Sequence, residues 1–293
     1  MSSARAFLRG IIDYAGLFPP ARLRMDDAVR EYARYRRGND RDLLGRFILP
    51  ASTLDEFSAA AGPFLSDDDP DIWRLSAIVS ALNDSDLEDI NDFNREHTGI
   101  VVDAIEMPVH SEDDVNWAAE LYRDSFSLFL EPTLAGGSSA LLHSIAKAGV
   151  SAKLRTGGVV ATAIPPATAV LSFIDTCDAL ALPFKATAGL HHAIRGEYAL
   201  TYETQAPRGM MYGYLNVFLA AVFHRAGLPA SVLLDLLEET DSASITFDDA
   251  GACWRGNLAD AAQLLAARRS LALSFGSCSF TEPVDEAKQL HLI

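Results

Sequence analysis

Lysine is scarce in this chain: of its 24 Lys and Arg residues only four, Lys147, Lys153, Lys185 and Lys288, are lysine. Positive charge on the surface therefore rests on arginine, and a lysine placed inside the fold asks for a chemical reason. Cysteine is nearly absent too. Cys177, Cys253 and Cys278 are widely spaced with no CxxC, which excludes a disulfide framework and a structural zinc site. No hydrophobic run reaches about 18 residues, and MSSARAFLRG lacks the apolar core of a signal peptide, so the chain reads as soluble and cytoplasmic. Basic residues are outnumbered, 24 against 40 acids, for a net charge of −16. That balance argues against nucleic acid and anionic membrane as partners and leaves a small-molecule substrate as the expected ligand; self-association into a homo-oligomer stays open. RFILPAST has no glycine for a dinucleotide fingerprint, and no other motif implies a cofactor.

What is present is a regular alternation. With 293 residues, 49% of them hydrophobic, and no long polar linker, one domain spanning 1–293 is the simplest reading. Strand candidates are Arg46–Leu49, Arg74–Val79, Ile100–Met107, Ser127–Glu131, Ala152–Thr156, Phe184–Ala188, Ser244–Phe247 and Ala272–Gly276, with helical patterns between them. Eight strands alternating with helices predict an α/β fold, a (β/α)8 TIM barrel. Residues 1–44 then form an N-terminal helical extension, with helices over 4–13 and 25–37. The connection DYAGLFPPA, stopped by Pro19 and Pro20, fits a hydrophobic plug at the bottom of the barrel built on Leu17 and Phe18, or a segment carrying Asp13 and Tyr14 to a site. The acidic stretch Asp67–Asp71 reads as a solvated connection. The irregular piece Leu190–Met211 is long enough to fold over a ligand.

The chemistry concentrates in Ser151–His192. Lys153 and Lys185 lie near the ends of two short strands, about one β/α unit apart when roughly 250 residues make eight. Lys153 shares a face with Arg155, and Lys185 with Thr187; in a barrel these charged faces point inward near the top. Cations crowded there would repel, lowering an amine pKa or recruiting an anionic ligand. Acids come from IVVDAIEMP, with Asp103 and Glu106, and from SLFLEP, with Glu131. Asp103 and Glu106 have opposite parity, so without a bulge only one faces inward. His191 and His192 follow the second lysine strand, one of them fit to shuttle protons or touch substrate. Glycines punctuate the same rim at Gly136-Gly137, Gly157-Gly158, Gly189 and Gly276, and Gly276-Ser277 could hold a phosphate or carboxylate on backbone amides. Cys278 reads as packing.

FKATAG resembles the strand-six lysine segment of deoxyribose-phosphate aldolase and, more generally, of class I aldolases. VVDAIEMP is similar to that family's strand-three aspartate segment, and AKLRTGG stands where its strand five would. The resemblance covers about Gly99–His192 and implies Lys185 as the Schiff-base amine with Asp103 in a proton relay. That family has a second lysine on strand seven, where SASITF has none, so Lys153 or Arg155 would take its part from strand five. DYAGLFPPA and FGSCSF look more like segments of a set of bacterial barrel proteins of unassigned activity.

The expectation is thus an aldolase-type barrel lyase acting on a small carbonyl compound, with or without a phosphate or carboxylate. Lys185 attacks the carbonyl; Asp103, Glu131 or His191 moves protons; Lys153 tunes the amine. Arg155, Glu106, Thr187, His192, Gly276 and Ser277 contact substrate. Two alternatives stand beside it: a divalent-metal enzyme with Glu106, Glu131 and His191 or His192 as ligands, and a non-catalytic barrel binding a small anion at Arg155 and Gly276-Ser277.

Overall fold

The structure is a computed structural model that describes residues 2–65, 71–79, 85–134 and 138–293. Eight parallel strands close into a barrel: β1 (Ile12–Tyr14), β2 (Leu44–Pro50), β3 (Trp73–Ile78), β4 (Ile100–Val109), β5 (Ser127–Pro132), β6 (Ser151–Arg155), β7 (Phe184–Thr187) and β8 (Ala272–Ser277). Each pairs with its neighbour in chain order, and β1 closes the ring between β8 and β2. Helices cover the outside, as the (β/α)8 reading requires.

The sequence builds this by alternation. Phe47, Leu49, Leu75, Ala77, Leu128, Leu130, Leu154 and Ala186 are buried and belong to the hydrophobic core, leaving the residues between them to face the lumen. The helix Met25–Arg36 buries Ala28, Val29, Tyr32 and Tyr35, with Asp26 and Asp27 in its first turn and Arg34 and Arg36 in its last, as the helix dipole prefers. Ser111 with Asp114 and Asp260 with Gln263 form capping boxes that start two further helices.

The strand count is right but one member differs. Seven of the expected strands lie in the ring. The expected seventh, Ser244–Phe247, does not: Ile245–Phe247 pairs antiparallel with Gly251–Trp254, which pairs with Asn257–Asp260 in a separate three-stranded sheet. Arg255 and Gly256, both at positive φ, make the two-residue turn that joins its last two strands, a hairpin geometry incompatible with a parallel barrel strand. This sheet packs on the helix Ser3–Leu8, where Phe7 meets Phe247 at 5.9 Å and the Ser3 hydroxyl donates to the Gly251 carbonyl at 3.0 Å.

The missing strand is Ile12–Tyr14, inside the stretch expected to be a helical extension. It is three residues long and buried throughout, so it shows no alternation to read. As a parallel strand it delivers the following DYAGLFPPA segment to the C-terminal face. Phe18, Pro19 and Pro20 therefore line the top cavity rather than plugging the bottom. In β4, Val102 pairs with Leu75 and Ala104 with Ser76, so Asp103 is the extra residue of a β-bulge. Of the acidic connection, Asp67, Asp68 and Asp69 lie outside the described residues, as do the glycines Gly136 and Gly137. Among the described residues no helix is long and apolar enough to cross a membrane.

Candidate active site

Lys153 and Lys185 are cross-strand partners on β6 and β7, so their amines enter the lumen side by side. Lys185 is 0% exposed and Lys153 5%. Neither is left unpaired. The Lys185 amine donates to Asp13 Oδ2 and Glu106 Oε1, both at 2.6 Å. The Lys153 amine lies 2.8 Å from Glu106 Oε2 and 2.9 Å from Glu131 Oε2, and Arg155 Nε donates to Glu131 Oε1 at 2.6 Å. The result is one continuous row of alternating charge: Asp13, Lys185, Glu106, Lys153, Glu131, Arg155. Three acids offset three bases, which is what allows so many charges below the surface. Two serines complete the lone-pair accounting, Ser76 Oγ donating to Glu106 Oε1 at 2.7 Å and Ser274 Oγ to Asp13 Oδ2 at 2.8 Å. The Arg46 backbone N–H donates to Asp13 Oδ1 at 2.8 Å.

This arrangement reverses the expected electrostatics. Glu106 stands between the two amines, so attraction to carboxylates replaces the mutual repulsion that would have lowered an amine pKa. Burial alone would lower Lys153, but Glu106 and Glu131 together hold it above its ordinary value. Burial likewise works against the Glu106 carboxylate, yet Lys153 and Lys185 hold its pKa far below the usual range; Lys153 and Arg155 hold Glu131 below its own.

Above the row opens a cavity of about 550 Å³ at the C-terminal ends of the strands. Glu106, Glu131, Lys153, Arg155, Thr187, His191 and Gly276 reach its wall. Lys185, 0% exposed, does not. Over the mouth lies the segment after β7, which contains an antiparallel pair, Gly196–Ala199 with Arg208–Met211, and contributes Leu200 and Met211 to the lining. The loops after β6 and β7 touch through glycine: a Cβ at Gly157 would lie 3.3 Å from the Gly189 Cα, and Gly189 sits at φ +82°. The adjoining Ala188 holds φ +60°, a left-handed conformation unusual for alanine, fixed by a 2.5 Å hydrogen bond from Thr156 Oγ1 to its carbonyl.

The two histidines diverge. His191 is buried beside Ser277 Oγ (3.1 Å) and Cys278 Sγ (3.6 Å), and burial, assisted by His192, lowers its pKa to about 4. It faces the cavity as a neutral imidazole at pH 7. His192 turns away to Glu286 Oε1 at 2.6 Å and stacks on Tyr198, with centroids 3.5 Å apart. Glu286 also accepts from the Ala193 N–H, so this pair anchors the start of the covering segment to the C-terminal helix Thr281–Gln289. Ser277 is buried behind His191, while Cys278 reaches the cavity with its thiol pushed up to about 11 by burial.

Asp103 is not brought to the lysines. Arg46 binds it at 2.6 and 3.1 Å and Arg74 Nε at 2.6 Å. Arg74 shares the face of Ser76 and Arg46 that of Ile48, so the bulge turns Asp103 inward as well, near the N-terminal end of the barrel. Both acids of IVVDAIEMP thus face the lumen, on different levels. Asp13, Ser76 and Ser274 complete the row without having been assigned to it from sequence; the only signal was one acid between apolar neighbours in IIDY. Among the described residues no three His, Cys, Asp or Glu side chains gather to hold a metal ion, and the carboxylates of Glu106 and Glu131 are bridged by an amine instead. No model of a known protein family matches the chain, and no curated protein matches it.

Proposed function

We propose that this barrel is a lyase of class I aldolase type, in which Lys153 forms an imine with a small carbonyl substrate in the C-terminal cavity. The observation that carries the reading is the inequality of the two lumen amines: Lys153 reaches the cavity, whereas Lys185 is sealed beneath it. The imine role therefore moves from Lys185 to Lys153. Counting Ile12–Tyr14 as the first strand also moves the lysines to strands six and seven, the two positions at which class I aldolases of the resembled type carry theirs; it moves Asp103 and Glu106 to strand four.

In this reading Lys153 first loses its proton to solvent through the cavity, because both flanking carboxylates are held in their ionised form. The neutral amine adds to the carbonyl carbon, and loss of water leaves an iminium that accepts the electron pair of the cleaved C–C bond. Glu131, an ionised carboxylate at the cavity wall, then accepts a hydrogen bond from the substrate hydroxyl as its proton leaves to solvent in the cavity, which also supplies the proton of the return step, and His191 donates or accepts a hydrogen bond as a neutral ring. Lys185 with Asp13 fixes Glu106, and through it the amine, in place.

Borohydride reduction in the presence of a panel of short aldehydes and 2-oxo acids, followed by peptide mass mapping, tests the assignment. A reduced adduct on Lys153 is expected, abolished in Lys153→Met. An adduct on Lys185, or none with any carbonyl that is turned over, contradicts it.

A further inference from the structure

A second cavity of about 560 Å³ adjoins the first, and the two share Pro108, Glu131, Arg155 and Ala163. Beyond these shared residues the chambers differ. The second is walled largely by apolar side chains, among them Pro132, Leu134, Ile164, Pro165 and Ala169. Among the described residues its acidic and basic side chains, Glu131 and Arg155, stand on the shared wall, and His110 adds an imidazole.

Arg155 is the group at the junction. Its Nε is occupied by Glu131, but among the described residues no hydrogen bond or ion pair engages its two terminal nitrogens, and its side chain is 51% exposed. A half-exposed guanidinium with two N–H-bearing nitrogens unused is preorganised for two-point recognition of a carboxylate. Spacing sets where that carboxylate stands. Lys153 and Arg155 grip the two oxygens of the same Glu131 carboxylate, at 2.9 and 2.6 Å, so amine and guanidinium are separated by the width of one carboxylate. A substrate whose carboxylate adjoins its carbonyl carbon spans that gap, and a carboxylate several atoms further away does not.

Resting on the Lys153 reading, we propose that the substrate is a 2-oxo acid bearing an apolar arm. Its carboxylate sits on Arg155 at the junction, its carbonyl faces Lys153 in the first chamber, and its arm lies in the second. Apolar walls reward an alkyl arm through burial of its methylenes, and they offer a sugar-like arm few partners for its hydroxyls.

The binding half is tested without any imine by calorimetric titration with 2-hydroxyoctanoate, which cannot condense with an amine. Lactate, with the same head and no arm, and octan-2-ol, with the arm and no carboxylate, serve as controls. The long acid is expected to bind at least about tenfold more tightly than either control. Arg155→Gln should weaken both acids by about tenfold or more and leave octan-2-ol unchanged. Ala169→Trp, which fills the second chamber from the helix Ala167–Ala179, should weaken the long acid and spare lactate. Equal binding of lactate and the long acid, or binding indifferent to both substitutions, overturns the proposal. Melting curves of the free variants establish that both are folded. Borohydride trapping with 2-oxooctanoate keeps the two readings apart: tight, Arg155-dependent binding of the hydroxy acid without an adduct on Lys153 removes the imine. An adduct indifferent to arm length and to Arg155 removes only the two-chamber substrate.

Discussion

At the scale of single residues, the behaviour of the site follows from where Glu106 stands. Shared with Glu131, its carboxylate makes Lys153 a better cation and a poorer nucleophile, so reactivity has to be recovered from pH. Because Lys153 is held above its ordinary value of 10.5, imine formation should still be rising at pH 10. Glu131→Gln removes one of the two carboxylates that raise the amine, so the rise should move to lower pH, by about one unit or more, when adduct formation is followed against pH. An unmoved profile would mean that Glu131 does not act on the amine. Asp13 holds the other end of the row. Asp13→Asn leaves Lys185 with a single carboxylate partner in a site closed to water, and should cost about 3–5 kcal/mol in urea unfolding, the range found when a buried ion pair loses one member. Asp13 was weighed from sequence as a site residue only through its place in DYAGLFPPA. Its counter-ion lies 172 residues away, and nothing local reveals such a contact.

Elements decide which of these residues meet. The strands that could be read from sequence are those of four to ten residues with alternating or continuous apolar pattern, and they carry Lys153, Lys185, Glu106 and Glu131. Ile12–Tyr14 escapes because three buried residues after a short helix carry neither a period nor a turn signal, and the error displaced the numbers of the six strands that follow it by one, while Ala272–Ser277 stays eighth because Ser244–Phe247 drops out of the ring. The bulge at Asp103 escapes for a related reason: a bulge is a relation between two strands, and periodicity belongs to one. A consequence for β2 can be tested. The Gly45 backbone lies against the Asp13 carboxylate so closely that a Cβ would overlap Asp13 Oδ1 and press on the Ile12 carbonyl at 3.2 Å. Gly45→Ala should therefore push the carboxylate off Lys185 and destabilise the protein by an amount close to that of Asp13→Asn, and the two changes together should cost less than their sum. Full additivity would show that Gly45 and Asp13 act separately.

For the whole molecule, the burial of titratable groups fixes how stability responds to pH. His191 has a folded pKa lowered to about 4 from an ordinary 6.5, so its contribution is present above pH 6.5 and is lost as the pH falls toward 4. The loss amounts to at most about 3.5 kcal/mol, at roughly 1.4 kcal/mol per unit. Glu106 and Glu131, depressed in the fold, add their losses at pH below their ordinary 4.5. Lys153, raised in the fold, gives its full contribution up to pH 10.5 and loses it only above. Thermal melts should therefore show a shoulder of stability from about pH 7 to 10 and a decline that begins before the carboxylates titrate; His191→Gln should delay that decline, and an unchanged decline would exclude His191 as its source. The barrel itself was legible in the alternation of strands and helices. The row of charges was legible only as scarce lysines in the wrong place, since which carboxylate sits between them depends on closure of the ring. The scarcity that first marks these lysines also makes the most direct measurement simple, because only four lysine side chains have to be told apart. Reductive methylation with formaldehyde and borohydride across pH 7 to 11, quantified for each lysine by mass spectrometry, should find Lys147 and Lys288 reacting throughout, Lys153 reacting only as the pH becomes alkaline, and Lys185 remaining unmodified. Modification of Lys185 as early as Lys153, or of Lys153 at pH 7 as readily as the surface amines, would contradict the account.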